Sequence, residues 1–240
     1  MNLIIDIGNT RVKTALFNGD EILEVDSFTI KKFGKKIKAI HANYSIKKAL
    51  ISSVGNLSKT NKKLLASLFD YLELDQNTKV PFINKYATPQ TLGVDRIALA
   101  AAASCLFPKR SVLIIDVGTC ITYDFINANN EYLGGAIAPG VLSRYKSLHD
   151  YTENLPLLNL KEPQNFIGDT TEESLHSGVV NGICREIDGV ISQYKESFGK
   201  LTVVLTGGDA KFLSSQLKSS IFVEPFFLVK GLNTILKNNI

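Results

Sequence analysis

Two short acidic turns contain the first residues of this chain whose types and spacing could do chemistry. Each follows an apolar run and has an Asp-x-Gly-polar sequence, at Asp6–Thr10 and at Asp116–Thr119. A carboxylate at a strand end, followed by a glycine that bends the backbone, leaves N–H and hydroxyl donors pointing outward. Such a turn suits phosphate oxygens, and its carboxylate suits Mg²⁺, directly or through water. We therefore assign Asp6 to Mg²⁺, and Thr10 and Lys13 to phosphate.

The occurrence of two such turns predicts a nucleotide site more strongly than either turn alone, which could simply open a hairpin. Two acidic turns could grip a triphosphate and supply the positioning and charge neutralisation that phosphoryl transfer requires. A third turn, Thr206–Asp209, could let the backbone pass close to a base or ribose. The commoner nucleotide-binding motifs are absent, because Val12 stands where a P-loop needs glycine and no G-x-G-x-x-G occurs.

An internal repeat indicates which elements position the turns. Leu3–Leu16 and Leu113–Ile126 match at a constant offset of 110 residues (116 − 6). In both copies an apolar strand, the acidic turn and two more β-rich runs predict an antiparallel meander. Asn18-Gly19 predicts a type I′ turn in the first copy. Helices alternating with short strands follow each meander, so we predict an α/β fold with domains at residues 1–110 and 111–240.

Composition excludes several classes of protein. With 45% hydrophobic and 21% charged residues, the chain has no apolar run of about 20 residues that could cross a membrane. The N-terminus lacks the pattern of a secretion signal, so we expect a cytoplasmic protein. Its three cysteines have no C-x-x-C pair, which indicates reduced, mostly buried thiols. Without a basic recognition helix, we expect neither a nucleic-acid nor a membrane partner.

Five motifs in order carry a resemblance to a known family. The chain resembles the type III pantothenate kinases, of the actin-like ATPase superfamily, at Asp6–Lys13, Leu92–Arg96, Asp116–Thr119, Gly134–Gly140 and Thr206–Asp209. The resemblance implies two duplicated, ribonuclease H-like α/β lobes, each with a mixed five-stranded sheet flanked by helices, and a cleft between the lobes. The activity it implies is transfer of the ATP γ-phosphate to pantothenate, giving 4′-phosphopantothenate in the first step of coenzyme A biosynthesis.

The resemblance also implies roles for individual residues. The implied ligands of ATP and Mg²⁺ are Asp6, Ile7, Gly8, Asn9, Thr10, Arg11, Val12, Lys13 and Thr119. The implied ligands of pantothenate are Tyr86, Gly93, Val94, Asp95, Arg96 and Thr171, with Asp95 as proton acceptor. By the same resemblance, Asp116 holds a monovalent cation, K⁺ or NH₄⁺, and the protein forms a homodimer.

Elementary chemistry agrees with two of these roles. A primary alcohol is a poor nucleophile at neutral pH, so a carboxylate such as Asp95 can accept its proton as phosphate transfer proceeds. Arg96 can hold the carboxylate of pantothenate through two parallel hydrogen bonds. The residues alone also allow Asp95 to cap a helix and Arg96 to be a surface charge. Two other functions remain open: an actin-like kinase for another small acceptor, and a non-catalytic nucleotide-binding regulator.

Overall fold

The computed structural model describes residues 1–8, 10–53 and 57–239 as two compact units of mixed α/β structure. The strands are β1 (Asn2–Ile7), β2 (Val12–Asn18), β3 (Glu21–Phe28), β4 (Lys48–Ser53), β5 (Tyr71–Glu73), β6 (Ile83–Asn84), β7 (Val112–Val117), β8 (Cys120–Ile126), β9 (Glu131–Pro139), β10 (Thr202–Thr206) and β11 (Phe222–Val223). The helices are α1 (Phe33–Asn43), α2 (Lys59–Leu68), α3 (Val94–Leu106), α4 (Val141–Asp150), α5 (Thr171–His176), α6 (Gly182–Phe198), α7 (Ala210–Ser214) and α8 (Phe227–Asn238). No helix of these described ranges is long and apolar enough to cross a membrane.

Both units contain the same five-stranded mixed sheet, as the repeat predicts. The order is β3-β2-β1-β4-β5 in the first unit and β9-β8-β7-β10-β11 in the second. In each sheet the first three strands form an antiparallel meander, and the last two run parallel to the central strand. Apolar side chains from each sheet and its helices form a separate core. The predicted meanders and α/β pattern are therefore confirmed.

The two meanders differ by one residue in their turns. Asp6 pairs with Lys13 across the first acidic turn, whereas Asp116 pairs with Thr122 across the second, which is one residue shorter. The following turn restores the offset, since Ile22 and Tyr132 again lie 110 residues apart and pair at equivalent positions. The structural counterpart of Lys13 is therefore Thr122.

The hairpin between β2 and β3 differs from its predicted type. Its two central residues are Gly19 and Asp20, and only Gly19 has a positive φ (63°). A type I′ turn requires positive φ at both central positions, so that prediction was wrong. The cysteines also differ from expectation, because Cys184 is buried while Cys105 and Cys120 are exposed.

The C-terminal helix belongs to the first unit. That unit comprises Met1–Pro108 and the chain from Phe226 onward, and the second comprises Lys109–Pro225. The sequence boundary assigns residues 226–240 to the second lobe; the structure instead packs α8 against α3. The packing is close, since a Cβ added at Gly231 of α8 would lie 1.9 Å from the Ala98 carbonyl oxygen. The apolar face of α8 is therefore buried by α3, which lies far away in the sequence.

Candidate active site

The first acidic turn gathers three polar side chains at the end of β1. Asp6 pairs in register with Lys13 on β2 and with Ser52 on β4. Residues paired across neighbouring strands present their side chains on the same face of a sheet. Lys13 is exposed, whereas Ser52 is fully buried, and its hydroxyl interacts with the Asp6 carboxylate and lowers the pKa of Asp6. A carboxylate, an ammonium group and a buried hydroxyl therefore lie together here.

Burial raises the pKa of Asp6 to about 6, from an ordinary value of 3.8. The positive charge of Lys13 opposes this shift, and the negative charge of Asp95 adds to it. Two carboxylates of the first unit are thus close enough to repel each other, although almost 90 residues separate them in sequence. Carboxylate and hydroxyl oxygens are the ligands that Mg²⁺ prefers, so Asp6 and the Ser52 hydroxyl beside it fit that ion.

The remaining predicted ATP-binding residues of the first turn divide into residues that shape the turn, exposed residues and core residues. The N–H of Gly8 donates to the Arg11 carbonyl oxygen (3.0 Å) and closes the turn. Arg11 in turn donates to Ser27, from Nε to Oγ (2.7 Å) and from Nη2 to the carbonyl oxygen (2.6 Å). The guanidinium of Arg11 therefore connects the first turn to β3. Thr10 is exposed. The side chains of Ile7 and Val12 lie in the core, and Asn9 lies outside the described residues.

The predicted pantothenate residues of the first unit surround the start of α3. The Arg96 side chain is buried, with only 5% of the residue exposed, and its guanidinium carbon lies 5.6 Å from the ring centroid of Tyr86. Arg96 is therefore not a surface charge. The carboxylate of Asp95 accepts from the Arg96 N–H (2.8 Å), which fixes its direction, and the side chain of Val94 is buried.

Gly93 explains how the Asp95 carboxylate fits at this helix start. A Cβ at position 93 would lie 2.4 Å from Asp95 Oδ1. Gly93 is also the N-cap of α3, and no side chain caps the helix there. The alternative in which Asp95 acts as the cap is thus not what the structure shows. A side chain at position 93 would therefore displace the Asp95 carboxylate from this position.

The second acidic turn is held by the loop before α4. Its Gly118 N–H donates to the Cys120 carbonyl oxygen (2.9 Å), as Gly8 does in the first turn. The Thr119 carbonyl oxygen accepts from the Gly140 N–H (3.1 Å) and from Ser143 Oγ (2.7 Å). A Cβ at Gly140 would lie 2.1 Å from the Gly118 carbonyl oxygen, so glycine is required there. The Thr119 side chain remains exposed.

The third turn meets the second at Asp116. Gly207, with φ of 99°, approaches so closely that a Cβ would lie 2.4 Å from Asp116 Oδ1. The Asp209 N–H donates to the Val117 carbonyl oxygen (3.2 Å), and burial raises the pKa of Asp209. Thr206, which is buried, pairs with Asp116 across β10 and β7. The second unit thus combines two glycine turns and two carboxylates at one sheet edge.

Thr171 lies elsewhere in the second unit, at the first position of α5. The hydroxyl of Thr170 accepts from the Glu173 N–H (3.1 Å) and caps that helix. Thr171 lines an open cavity of about 490 Å³, together with Leu148 and Asp169 among others.

Three features of the site were not predicted from the sequence: Ser52, Ser143 and the close approach of Gly140 to Gly118. The first two come close to the turns only through pairing and packing of distant segments. Gly140 does carry a sequence signal, since it ends the Gly134–Gly140 motif, but that motif alone does not say which turn it touches.

Solved structures with this fold are numerous. A structure from Campylobacter jejuni described as a Baf family transcriptional activator matches with a TM-score of 0.66 and 23% identity, covering 99% of this chain and 98% of that one. Glucokinase from an Antarctic psychrotroph matches with a TM-score of 0.52 and 12% identity over 99% and 98% of the two chains. These likenesses show that the fold is that of the actin-like ATPases and sugar kinases, as predicted.

Sequence comparisons identify the family. The family model for type III pantothenate kinase matches residues 2–193. A type III pantothenate kinase from Christiangramia forsetii is 48% identical over all of this chain and 99% of its own length. One from Flavobacterium johnsoniae is 46% identical, covering 97% of this chain and 96% of its own. With this agreement over its whole length, the chain belongs to the type III pantothenate kinase family.

Proposed function

We propose that this protein transfers the γ-phosphate of ATP to the primary hydroxyl of pantothenate, forming 4′-phosphopantothenate for coenzyme A biosynthesis. Membership of the type III pantothenate kinase family is the observation that carries this proposal. The grouping of Asp6, Asp95, Arg96 and Tyr86 within one unit supports it, because phosphoryl transfer to an alcohol needs a metal ligand, a base and a hold on the acceptor.

In this proposal Asp95 is the proton acceptor. The pantothenate hydroxyl oxygen forms a bond to the γ-phosphorus as the bond to the β-phosphate oxygen breaks, and the hydroxyl proton passes to the Asp95 carboxylate. Gly93 leaves room for that carboxylate, and the Arg96 N–H orients it. A carboxylate held in one direction loses little freedom when the acceptor arrives, which favours catalysis.

Arg96 is the residue that we propose for recognition of the pantothenate carboxylate. Its guanidinium is buried against the Tyr86 ring, so the strength of an ion pair formed there is little reduced by water. Arginine can offer two parallel N–H donors to a carboxylate while its planar group rests on an aromatic ring. This feature favours a small acidic acceptor over a neutral sugar.

ATP would be bound through the acidic turns. We propose Asp6, with Ser52 beside it, for Mg²⁺, which neutralises charge on the phosphates, and Thr10, Lys13 and the backbone of the first turn for phosphate oxygens. Thr119 takes the same role in the second turn. Asp116 would hold the monovalent cation, K⁺ or NH₄⁺.

We also propose a homodimer in which Thr171 reaches the substrate. The segment that precedes Thr171 exposes two large apolar residues, Phe166 (75% exposed) and Ile167 (79%). Adjacent exposed apolar side chains of this size are commonly covered by a partner. Sedimentation at micromolar concentration is expected to show a dimer, and a monomer throughout would contradict this part of the proposal.

The reaction itself is tested with purified protein, ATP, Mg²⁺ and one acceptor at a time. We expect mass spectrometry to detect 4′-phosphopantothenate with pantothenate, more in K⁺ than in Na⁺, and no phosphorylated product with glucose. ATP hydrolysis that is equal with and without pantothenate would refute the proposed acceptor. Equal rates in K⁺ and Na⁺ would refute only the role of Asp116.

A further inference from the structure

A chain of three hydrogen bonds connects the core of the second unit to the loop beside its acidic turn. Tyr123 on β8 donates from its hydroxyl to Glu186 Oε1 on α6 (2.9 Å). Arg144 on α4 donates from Nη2 to Glu186 Oε2 (2.6 Å) and from Nε to the Pro139 carbonyl oxygen (3.0 Å). One guanidinium thus holds both a carboxylate and the end of β9.

The backbone held in this way directly contacts the second acidic turn, which we call the phosphate turn. Pro139 precedes Gly140, whose N–H donates to the Thr119 carbonyl oxygen and whose Cα approaches Gly118 too closely for any side chain. Ser143, the neighbour of Arg144, donates from Oγ to the same Thr119 oxygen. A shift of Pro139 or of the start of α4 would therefore move the turn.

The side chains of this network are buried or half-buried and joined by strong hydrogen bonds. The Tyr123 ring is buried, and its burial together with the Glu186 charge raises the pKa of Tyr123 well above its ordinary range, so its hydroxyl stays a donor. The Arg144 and Glu186 side chains are only 23% and 31% exposed, and charge-assisted bonds with this little exposure are stronger than surface pairs. Lysine would offer a single nitrogen in place of the Nε and Nη2 of Arg144, which reach the two acceptors from fixed positions on one planar group.

We propose that Arg144 and Glu186 are positioning residues for nucleotide binding, which act by fixing Pro139 and Gly140 against the Gly118–Thr119 turn. This inference rests on the proposed role of Thr119 at the ATP phosphates. The hydrogen bonds of the network lead to the backbone beside Thr119, so loss of the network should affect ATP more than pantothenate. Damage to it should therefore raise the KM for ATP more than the KM for pantothenate.

The test compares Arg144→Lys and Glu186→Gln with wild type in separate titrations of ATP and pantothenate. We expect the KM for ATP to rise about tenfold in Arg144→Lys and about threefold in the isosteric Glu186→Gln. The KM for pantothenate should stay within about twofold. Lys146→Met is the matched control, since Lys146 lies on the same helix and pairs with the exposed Asp150, and it should match wild type.

Several outcomes would overturn the inference. An unchanged KM for ATP in both variants would do so with the proposed function intact, and so would equal increases in both KM values, which indicate a general loss of structure. Calorimetric titration with Mg-ATP tests the same point without turnover. If wild type binds ATP but phosphorylates no pantothenate, the proposed acceptor fails, and the inference is decided by whether the variants bind ATP more weakly. If wild type binds no ATP, the proposed function and this inference both fail.

Discussion

Replacing Asp6 with asparagine should stabilise the fold at neutral pH while removing kinase activity. Asp6 has its pKa raised from 3.8 to about 6, chiefly because burial disfavours its charge. Each pKa unit corresponds to 1.36 kcal/mol, so the shift of about 2 units amounts to at most about 3 kcal/mol. The side chain is only partly buried, and solvent screening brings our expectation to about 1 to 2 kcal/mol.

The raised pKa of Asp6 makes the stability of the wild type depend on pH. A carboxyl group whose pKa is raised on folding binds its proton more tightly in the folded state, so wild-type stability falls as pH rises from about 4 to about 6. Below pH 4 the group is protonated in both states and costs nothing. About half of the cost is present at pH 5, and all of it above pH 6. The asparagine side chain of the variant does not titrate and has no such penalty at any pH.

Differential scanning calorimetry of Asp6→Asn and wild type between pH 5 and pH 8 measures this difference. For a chain of this size, about 1 to 2 kcal/mol corresponds to a Tm increase of about 2 to 8 °C. The increase should grow between pH 5 and pH 6.5 and then stay constant, while kcat/KM falls by at least about 100-fold. Asp20→Asn is the control, because Asp20 is an exposed carboxylate that pairs with Lys237 and should give no increase. A variant less stable than wild type at pH 8 would show that the attraction of Lys13 outweighs burial and would refute this reasoning.

Three further predictions concern packing and recognition. Gly231→Ala should lower the free energy of unfolding by about 2 to 4 kcal/mol in denaturant titrations, because its Cβ would strike the Ala98 carbonyl oxygen and push α8 from α3. Gly189→Ala, in α6, is the control and should raise the free energy of unfolding by about 0.5 to 1 kcal/mol, because a Cβ there would meet no atom of the other described residues within 4 Å outside its own helix. Gly140→Ala should raise the KM for ATP about tenfold by displacing the second acidic turn, and an unchanged value would remove that turn from the nucleotide site. Arg96→Lys should raise the KM for pantothenate about tenfold or more with the KM for ATP unchanged, since lysine lacks the planar group that offers two parallel donors beside the Tyr86 ring. Equal effects on both substrates would contradict a role in acceptor recognition.

Local patterns in the sequence were enough to predict the two meanders. Apolar runs, acidic turns and their repetition are signals within about 25 residues, and the sheets follow them strand by strand. The one-residue slip between Lys13 and Thr122 was not visible, because a compensating residue in the next turn restores the offset. The placement of α8 was missed for a different reason. Its apolar face would suit a helix of either unit, and only the close approach of Gly231 to Ala98 reveals its partner.

The site shows the same division between local and distant signals. Asp6 and Asp116 were predicted because each stands in its own recognisable turn. Ser52 was missed, since a serine at the end of a strand says nothing about which carboxylate will lie beside it. Arg144 and Glu186 are 42 residues apart on two helices, and neither has an unusual sequence context. Contacts of this kind depend on how helices pack, which the residue pattern alone does not determine.

Asp95 is central to the proposed reaction, because it takes the proton from pantothenate. The measurement that tests this most directly is the turnover of Asp95→Asn with saturating ATP and pantothenate, beside the affinity of the same variant for pantothenate by calorimetry. Asparagine keeps the shape and the hydrogen bond to the Arg96 N–H but cannot accept the proton. We predict that kcat falls by about 100-fold to 10,000-fold while the Kd for pantothenate changes less than about threefold. Turnover at the wild-type rate would contradict the account.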